Sequence, residues 1–122
     1  MRIAVIGPGA VGGYFGGRLA QSGEDVYFLA HGRTLAAMRE HGLRVDSTKG
    51  NFTLPKVNVA EKGDEVGAVD LVLVCVKAWQ VPELAPMAQP LLGPETIVLP
   101  LENGVEATDH LAQFAGNERV LV

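Results

Sequence analysis

The sequence predicts an α/β fold: a doubly wound, mostly parallel sheet with helices on both faces and a small β-hairpin insertion. Three observations carry this. The runs RIAVIG, VDLVLVCV and TIVLPL are apolar over the length of one strand, as expected of strands covered on both faces. Segments with helical spacing separate them, and strands alternating with helices imply parallel βαβ units. A glycine-rich turn joins the first strand to the first helix.

The elements follow in order. RIAVIG, Arg2 to Gly7, is a strand bounded by glycine. AVGGYFGGRLAQSG reads as a helix, with Val11, Phe15 and Leu19 at i, i+4, i+8 and Gly23 as its stop. Gly12, Gly13, Gly16 and Gly17 each cost that helix about 1 kcal/mol against alanine, so something must approach its backbone closely. DVYFLA, Asp25 to Ala30, is the second strand, and TLAAMREHG a short helix ending at Gly42. LRVDS and NFTLP flank TKGN in the manner of a hairpin with Gly50 in its turn. After the strand VDLVLVCV, WQVPELAPMAQPLLG reads as a helix whose start Pro86 delays or kinks. TIVLPL is a strand, GVEATDHLAQFAG a helix, and RVLV the opening of another strand. The absence of turn residues after RVLV predicts a longer protein, of which residues 1–122 form the first domain.

Composition narrows the classes of function. The 122 residues are 48% hydrophobic and 20% charged, which suits one globular domain. Ten Lys and Arg stand against 14 Asp and Glu, a net charge of -4, which argues against a nucleic-acid grip or a basic membrane-binding surface. No apolar run approaches the ~20 residues of a membrane-crossing helix, and the break at Gly7-Pro8-Gly9 stops MRIAVIG from serving as a signal core. Cys75 is the single cysteine, so no internal disulfide forms, and a cytoplasmic location is the default expectation. His31, His41 and His110 lack metal-ligand spacing, and neither Ser22 nor Ser47 occupies a nucleophile elbow. Association of copies stays open.

Gly7-Pro8-Gly9-Ala10-Val11-Gly12 fits G-x-G-x-x-G after a strand and at the opening of a helix. The physical reading is a Rossmann-type dinucleotide site. Gly7 permits the tight turn, Gly9 lets backbone N–H groups reach a pyrophosphate, and Gly12 lets helix and strand pack closely. A turn that merely connects strand to helix is the plainer alternative.

The end of the second strand decides which dinucleotide fits. An NAD site places a carboxylate there for the ribose 2′-hydroxyl, whereas the sequence runs Phe28-Leu29-Ala30-His31-Gly32-Arg33. Arg33 and His31 suit a 2′-phosphate, which favours NADP(H). The missing acid also weighs against an S-adenosylmethionine-dependent methyltransferase. Beyond the carboxyl ends of two later strands come Lys77, after VDLVLVCV, and Glu102-Asn103-Gly104, after TIVLPL. A strand-end charge reaching water would explain Lys77, and a helix N-cap would explain Asn103. Both, however, fall on the ligand edge that the glycine motif marks.

MRIAVIGPGAVGGYFGGRLAQSG, LAAMREHGLRVDS, VKAWQ and LPLENGVE together resemble ketopantoate reductase, the family of 2-dehydropantoate 2-reductases, over the whole chain. The resemblance implies NADPH-dependent reduction of 2-dehydropantoate to (R)-pantoate on the route to pantothenate and coenzyme A. By position it implies that Gly7 to Gly12 bind the pyrophosphate. Lys77 and Asn103 would lie beside the nicotinamide ribose, with Asn103 also within reach of the substrate. The arginine usual at the end of the family's second strand is replaced by His31, with Arg33 two residues on. The family's helical C-terminal domain, with its general-acid lysine, lies outside these residues, so the chain is expected to be inactive alone. Two other functions are weighed beside this one: a reductase of a different 2-keto acid, and an NADP(H)-sensing module without chemistry.

Overall fold

The computed structural model describes residues 1–7, 10–46, 50–75 and 86–101. Within them a five-stranded sheet has the order β5-β2-β1-β6-β7, from β1 (Arg2–Ile6), β2 (Asp25–Leu29), β5 (Asn58–Ala60), β6 (Val69–Val74) and β7 (Leu92–Pro100). Every pairing is parallel. Helix α1 (Ala10–Gln21) joins β1 to β2. Helix α2 (Gly32–His41) follows β2 and leads into an antiparallel hairpin of β3 (Leu43–Val45) and β4 (Phe52–Leu54).

The period-two alternation of strand side chains creates two apolar layers. Ile3, Val5, Val26 and Phe28 pack on one face with Leu35 and Met38 of α2 and with the hairpin's Leu43 and Val45. Ala4, Ile6, Leu29, Val72, Val74 and Val98 pack on the other, under Ala88, Leu91 and Val66. Residues 86–88 are helical, and 3-10 turns occupy Gln89–Leu91 and Gly63–Glu65, so both faces of the sheet are covered. The expected doubly wound architecture and the hairpin insertion are both present.

Helix α1 buries a face that its apolar spacing does not announce. Phe15 is 46% exposed, whereas Gly12, Gly13, Gly16 and Gly17 are buried. A Cβ at Gly16 would stand 2.7 Å from the Phe28 ring and 2.9 Å from Val5, and one at Gly17 would stand 2.6 Å from Phe52. The close approach that four helical glycines require therefore comes largely from the sheet and the hairpin. The helix stops in a Schellman arrangement, with Gly23 at φ 95°, its N–H donating to Ala20 and that of Glu24 to Leu19.

Other expectations are corrected. Leu92 and Gly93, read as a helix end, already belong to β7, because the β6–β7 register shifts between the pairs Val69–Leu92 and Leu71–Ile97. The buried Thr96 hydroxyl clamps that irregularity, donating to the Val69 carbonyl at 2.5 Å and accepting from the Gly93 N–H at 2.7 Å. Cys75, expected inside its strand, lies one residue beyond β6. Strand β5 and the turn after it had no counterpart in the sequence reading. The helix expected over GVEATDHLAQFAG, the strand RVLV and residues 79–85 of the WQVPELAPMAQPLLG helix lie outside the described residues.

Candidate functional site

The carboxyl ends of the five parallel strands are level. Ile6 pairs with Leu29 and Val74, Leu29 with Ala60, and Val74 with Pro100. The ladder then runs one residue further: Ala30 N–H donates to Ala60 O at 3.0 Å, Cys75 N–H to Ile6 O at 2.9 Å, and Leu101 N–H to Val74 O at 2.9 Å. Strand order reverses between β1 and β6, with β2 and β5 on one side of β1 and β6 and β7 on the other. In an open α/β sheet the crevice at such a reversal, outside the carboxyl ends, is where ligands sit.

Gly7 stands at that crevice with φ 82°, a left-handed conformation that glycine adopts without strain. Helix α1 begins three residues later, and Gly12 has no room for a side chain. A Cβ there would come 2.5 Å from the Gly7 carbonyl oxygen and 3.1 Å from the Cys75 sulfur. Gly12 therefore holds the turn, the helix and the end of β6 together at the switch point. Both α1 and α2 open at this rim, and neither carries an acid in its first turn. The partial positive charge of the two helix N-termini is thus left unneutralised by their own side chains. These features fit a pyrophosphate: a left-handed Gly7 at the strand end, a helix N-terminus that no acid of its own first turn offsets, and a Gly12 that keeps a side chain out of the junction.

At the end of β2, His31 is the N-cap residue of α2, yet its side chain makes no capping bond. His31 and Arg33 are both exposed, and neither side chain pairs with another described residue. Gly32, between them, has φ 58°. Ala10 and Val11 begin α1, while Pro8, Gly9, Lys77 and Asn103 lie outside the described residues. The structure thus brings Gly7, Gly12, His31 and Arg33 to one edge of the sheet. The sequence reading missed what β5 adds to it, Glu61 and Lys62 directly after Ala60. The alternation in Val57-Asn58-Val59, between Pro55 and Gly63, was the available signal.

A groove of about 510 Å³ lies elsewhere, lined by Val26, Phe28, Arg39, Leu54 and Lys56 among others. It reaches Val26 and Asn58, toward the starting ends of β2 and β5, and its one carboxylate, Glu24, is held by the Met1 ammonium at 2.8 Å. It shares none of the rim's glycines or helix N-termini, so the carboxyl edge is the stronger candidate for the dinucleotide.

The sheet order and the rim define a Rossmann-type domain. A sequence profile of the family described as ketopantoate reductase PanE/ApbA matches residues 3–122, and the chain belongs to that oxidoreductase family. A 2-dehydropantoate 2-reductase of Nostoc sp. is 35% identical over 93% of this chain and 35% of its own length. The crystal structure of 2-dehydropantoate 2-reductase from Geobacter metallireducens superimposes with a TM-score of 0.90 at 41% identity, covering 98% of this chain and 40% of that one. A ternary structure of D-mandelate dehydrogenase with NADH and anilino(oxo)acetate follows the same fold, with a TM-score of 0.86 at 29% identity over 98% of this chain and 39% of that one. The chain thus spans well under half the length of these relatives. Among the described residues no helix is long and apolar enough to cross a membrane.

Proposed function

We propose that this chain is the cofactor-binding domain of a cytoplasmic, NADPH-dependent 2-dehydropantoate 2-reductase, which yields (R)-pantoate. The observation that carries the reading is the glycine turn at the β1–β6 switch point, with Gly12 closed against Gly7 and Cys75. Family membership supports a 2-keto acid as the substrate class.

In this reading Gly7, Pro8, Gly9, Ala10, Val11 and Gly12 receive the pyrophosphate through backbone N–H groups and the α1 N-terminus. His31 and Arg33 face the 2′-phosphate, and the absence of a carboxylate at the end of β2 supports NADP(H) over NAD(H). Lys77 and Asn103 follow two residues after Cys75 and Leu101, whose N–H groups bond neighbouring strands at the carboxyl edge. That placement supports roles beside the nicotinamide ribose, with Asn103 also donating to the substrate. Bound NADPH would supply a hydride to the keto carbon. A general acid from beyond residue 122 protonates the developing alkoxide, and the chain alone is inactive.

Lys77→Ala in the complete enzyme tests this. The predicted result is a fall in kcat of about 100-fold, typical of losing one preorganised electrostatic donor, with a much smaller change in NADPH affinity. Unchanged turnover would sink the assignment. The D-mandelate dehydrogenase likeness favours one second reading, a reductase of another 2-keto acid. Comparing kcat/KM for 2-dehydropantoate with that for benzoylformate decides between them.

A further inference from the structure

We propose that Lys62, delivered by strand β5, is a determinant of cofactor choice and meets the 2′-phosphate from the side opposite Arg33. The inference rests on the NADPH reading above and adds a residue to it.

Strands β2 and β5 leave the sheet side by side. Leu29 pairs with Ala60, and the Ala30 N–H still donates to the Ala60 carbonyl at 3.0 Å. The chains that continue as Ala30-His31-Gly32-Arg33 and Glu61-Lys62 therefore start from neighbouring positions, about 4.8 Å apart as adjacent strands are. Two residues reach no further than about 7 Å, so Lys62 stays at the rim where His31 and Arg33 stand.

Its backbone is fixed there. Lys62 caps the 3-10 turn Gly63–Glu65, and its carbonyl accepts the Glu65 N–H at 3.2 Å. Gly63 anchors the turn: it is buried, and a Cβ on it would stand 2.5 Å from the Met87 carbonyl oxygen. The Gly63 carbonyl accepts from Val66 and Gly67 at 3.0 and 2.9 Å. A side chain carried by so tightly tied a turn loses little backbone freedom on binding a ligand. The Lys62 side chain is exposed and pairs with no described residue.

The neighbouring acids define the rival. Glu61, Asp64 and Glu65 share the turn, and the Glu65 carboxylate accepts the Glu61 N–H at 3.4 Å. Glu61 is the carboxylate nearest the end of β2 in strand register, and a ribose 2′-hydroxyl would suit it where a 2′-phosphate suits Lys62. Three N–H donors on a flexible stem match a phosphate dianion, and the absence of an acid at the carboxyl end of β2, where Leu29 leads to Ala30, His31, Gly32 and Arg33, favours the lysine.

The test uses the complete protein and two probes of the adenosine end, 2′,5′-ADP and 5′-AMP, titrated by calorimetry. Wild type should prefer 2′,5′-ADP. Lys62→Gln should weaken 2′,5′-ADP about fivefold, the scale of one exposed charge contact, and leave 5′-AMP unchanged. Lys62→Arg should restore the preference, and Lys56→Gln, in the distant groove, should change neither probe. A wild-type preference that Lys62→Gln leaves intact overturns the role of Lys62 while the NADPH reading stands. Equal weakening of both probes also overturns it, as does loss of 5′-AMP binding in Glu61→Gln without response to Lys62→Gln. A wild type without preference overturns the NADPH reading itself, and the role of Lys62 with it.

Discussion

The two rims of the sheet are built from the same five strands and treat charge in opposite ways. At the amino end the charges of the strand starts meet partners. The Met1 ammonium meets Glu24 at 2.8 Å, the Arg2 N–H donates to Asp70 at 2.8 Å, and the Arg2 guanidinium donates to the Tyr27 hydroxyl at 3.3 Å while lying 5.0 Å over its ring. At the carboxyl end the strands finish in Ile6, Leu29, Ala60, Val74 and Pro100. Of the charged or titratable side chains just beyond, those of His31, Arg33, Glu61 and Lys62 pair with no described residue. One rim joins most charges of its strand starts to one another, although Arg39 and Lys56 of the nearby groove pair with no described residue, and the other leaves donors and two helix N-termini for a ligand.

The sharpest way to break this contrast is at Gly12. Gly12→Val drives a side chain into the Gly7 carbonyl and the Cys75 sulfur. Overpacking of this kind costs about 1–3 kcal/mol of stability, and because the side chain would push the Gly7 turn out of place NADPH binding should weaken as well. Circular dichroism should report an intact fold, and full affinity in the variant would contradict the site. The largest expected effect on stability belongs to the layer that serves both rims: Phe28→Ala, at a side chain with 0% exposure, should cost about 3–5 kcal/mol by denaturant titration. Thr96→Val should cost about 1–3 kcal/mol, since it removes the acceptor of the Gly93 N–H and the donor to Val69.

The smallest effect sharpens the other rim. The hydrogen bond and charge of Glu24 raise the Met1 ammonium above its ordinary value of 8.0. A group with a raised folded value contributes stability that is fully present below its unfolded value and lost as pH rises through the folded one. Wild type should therefore lose slightly more stability than Glu24→Gln as pH climbs above 8, with no difference between them in NADPH affinity. Melting temperatures read across that window check it.

How legible each region was in the sequence follows from the same physics. Strands β1, β2 and β6 were readable because strands covered on both faces are nearly all apolar. Strand β5 escaped because it has three residues, one of them the exposed Asn58. The start of β7 escaped because its irregular pairing around Thr96 leaves no clean alternation. The buried face of α1 is a glycine face, invisible to a search for apolar spacing, although the cost of four glycines did signal a close approach. Of the candidate site, the glycine turn and His31–Arg33 were legible because a local pattern encodes them. Lys62 was not, because only the β2–β5 pairing brings it to their side.

The most direct test of the central claim, that the carboxyl rim is the cofactor's, is amide hydrogen exchange on the complete protein with and without saturating NADPH. Slowed exchange at Gly7, in the first turn of α1, at His31–Arg33 and at Cys75, with Arg2, Asp25 and Asp70 unchanged, is the predicted result. Protection confined to the groove around Val26, Leu54 and Lys56, with the glycine turn exchanging as before, would contradict it.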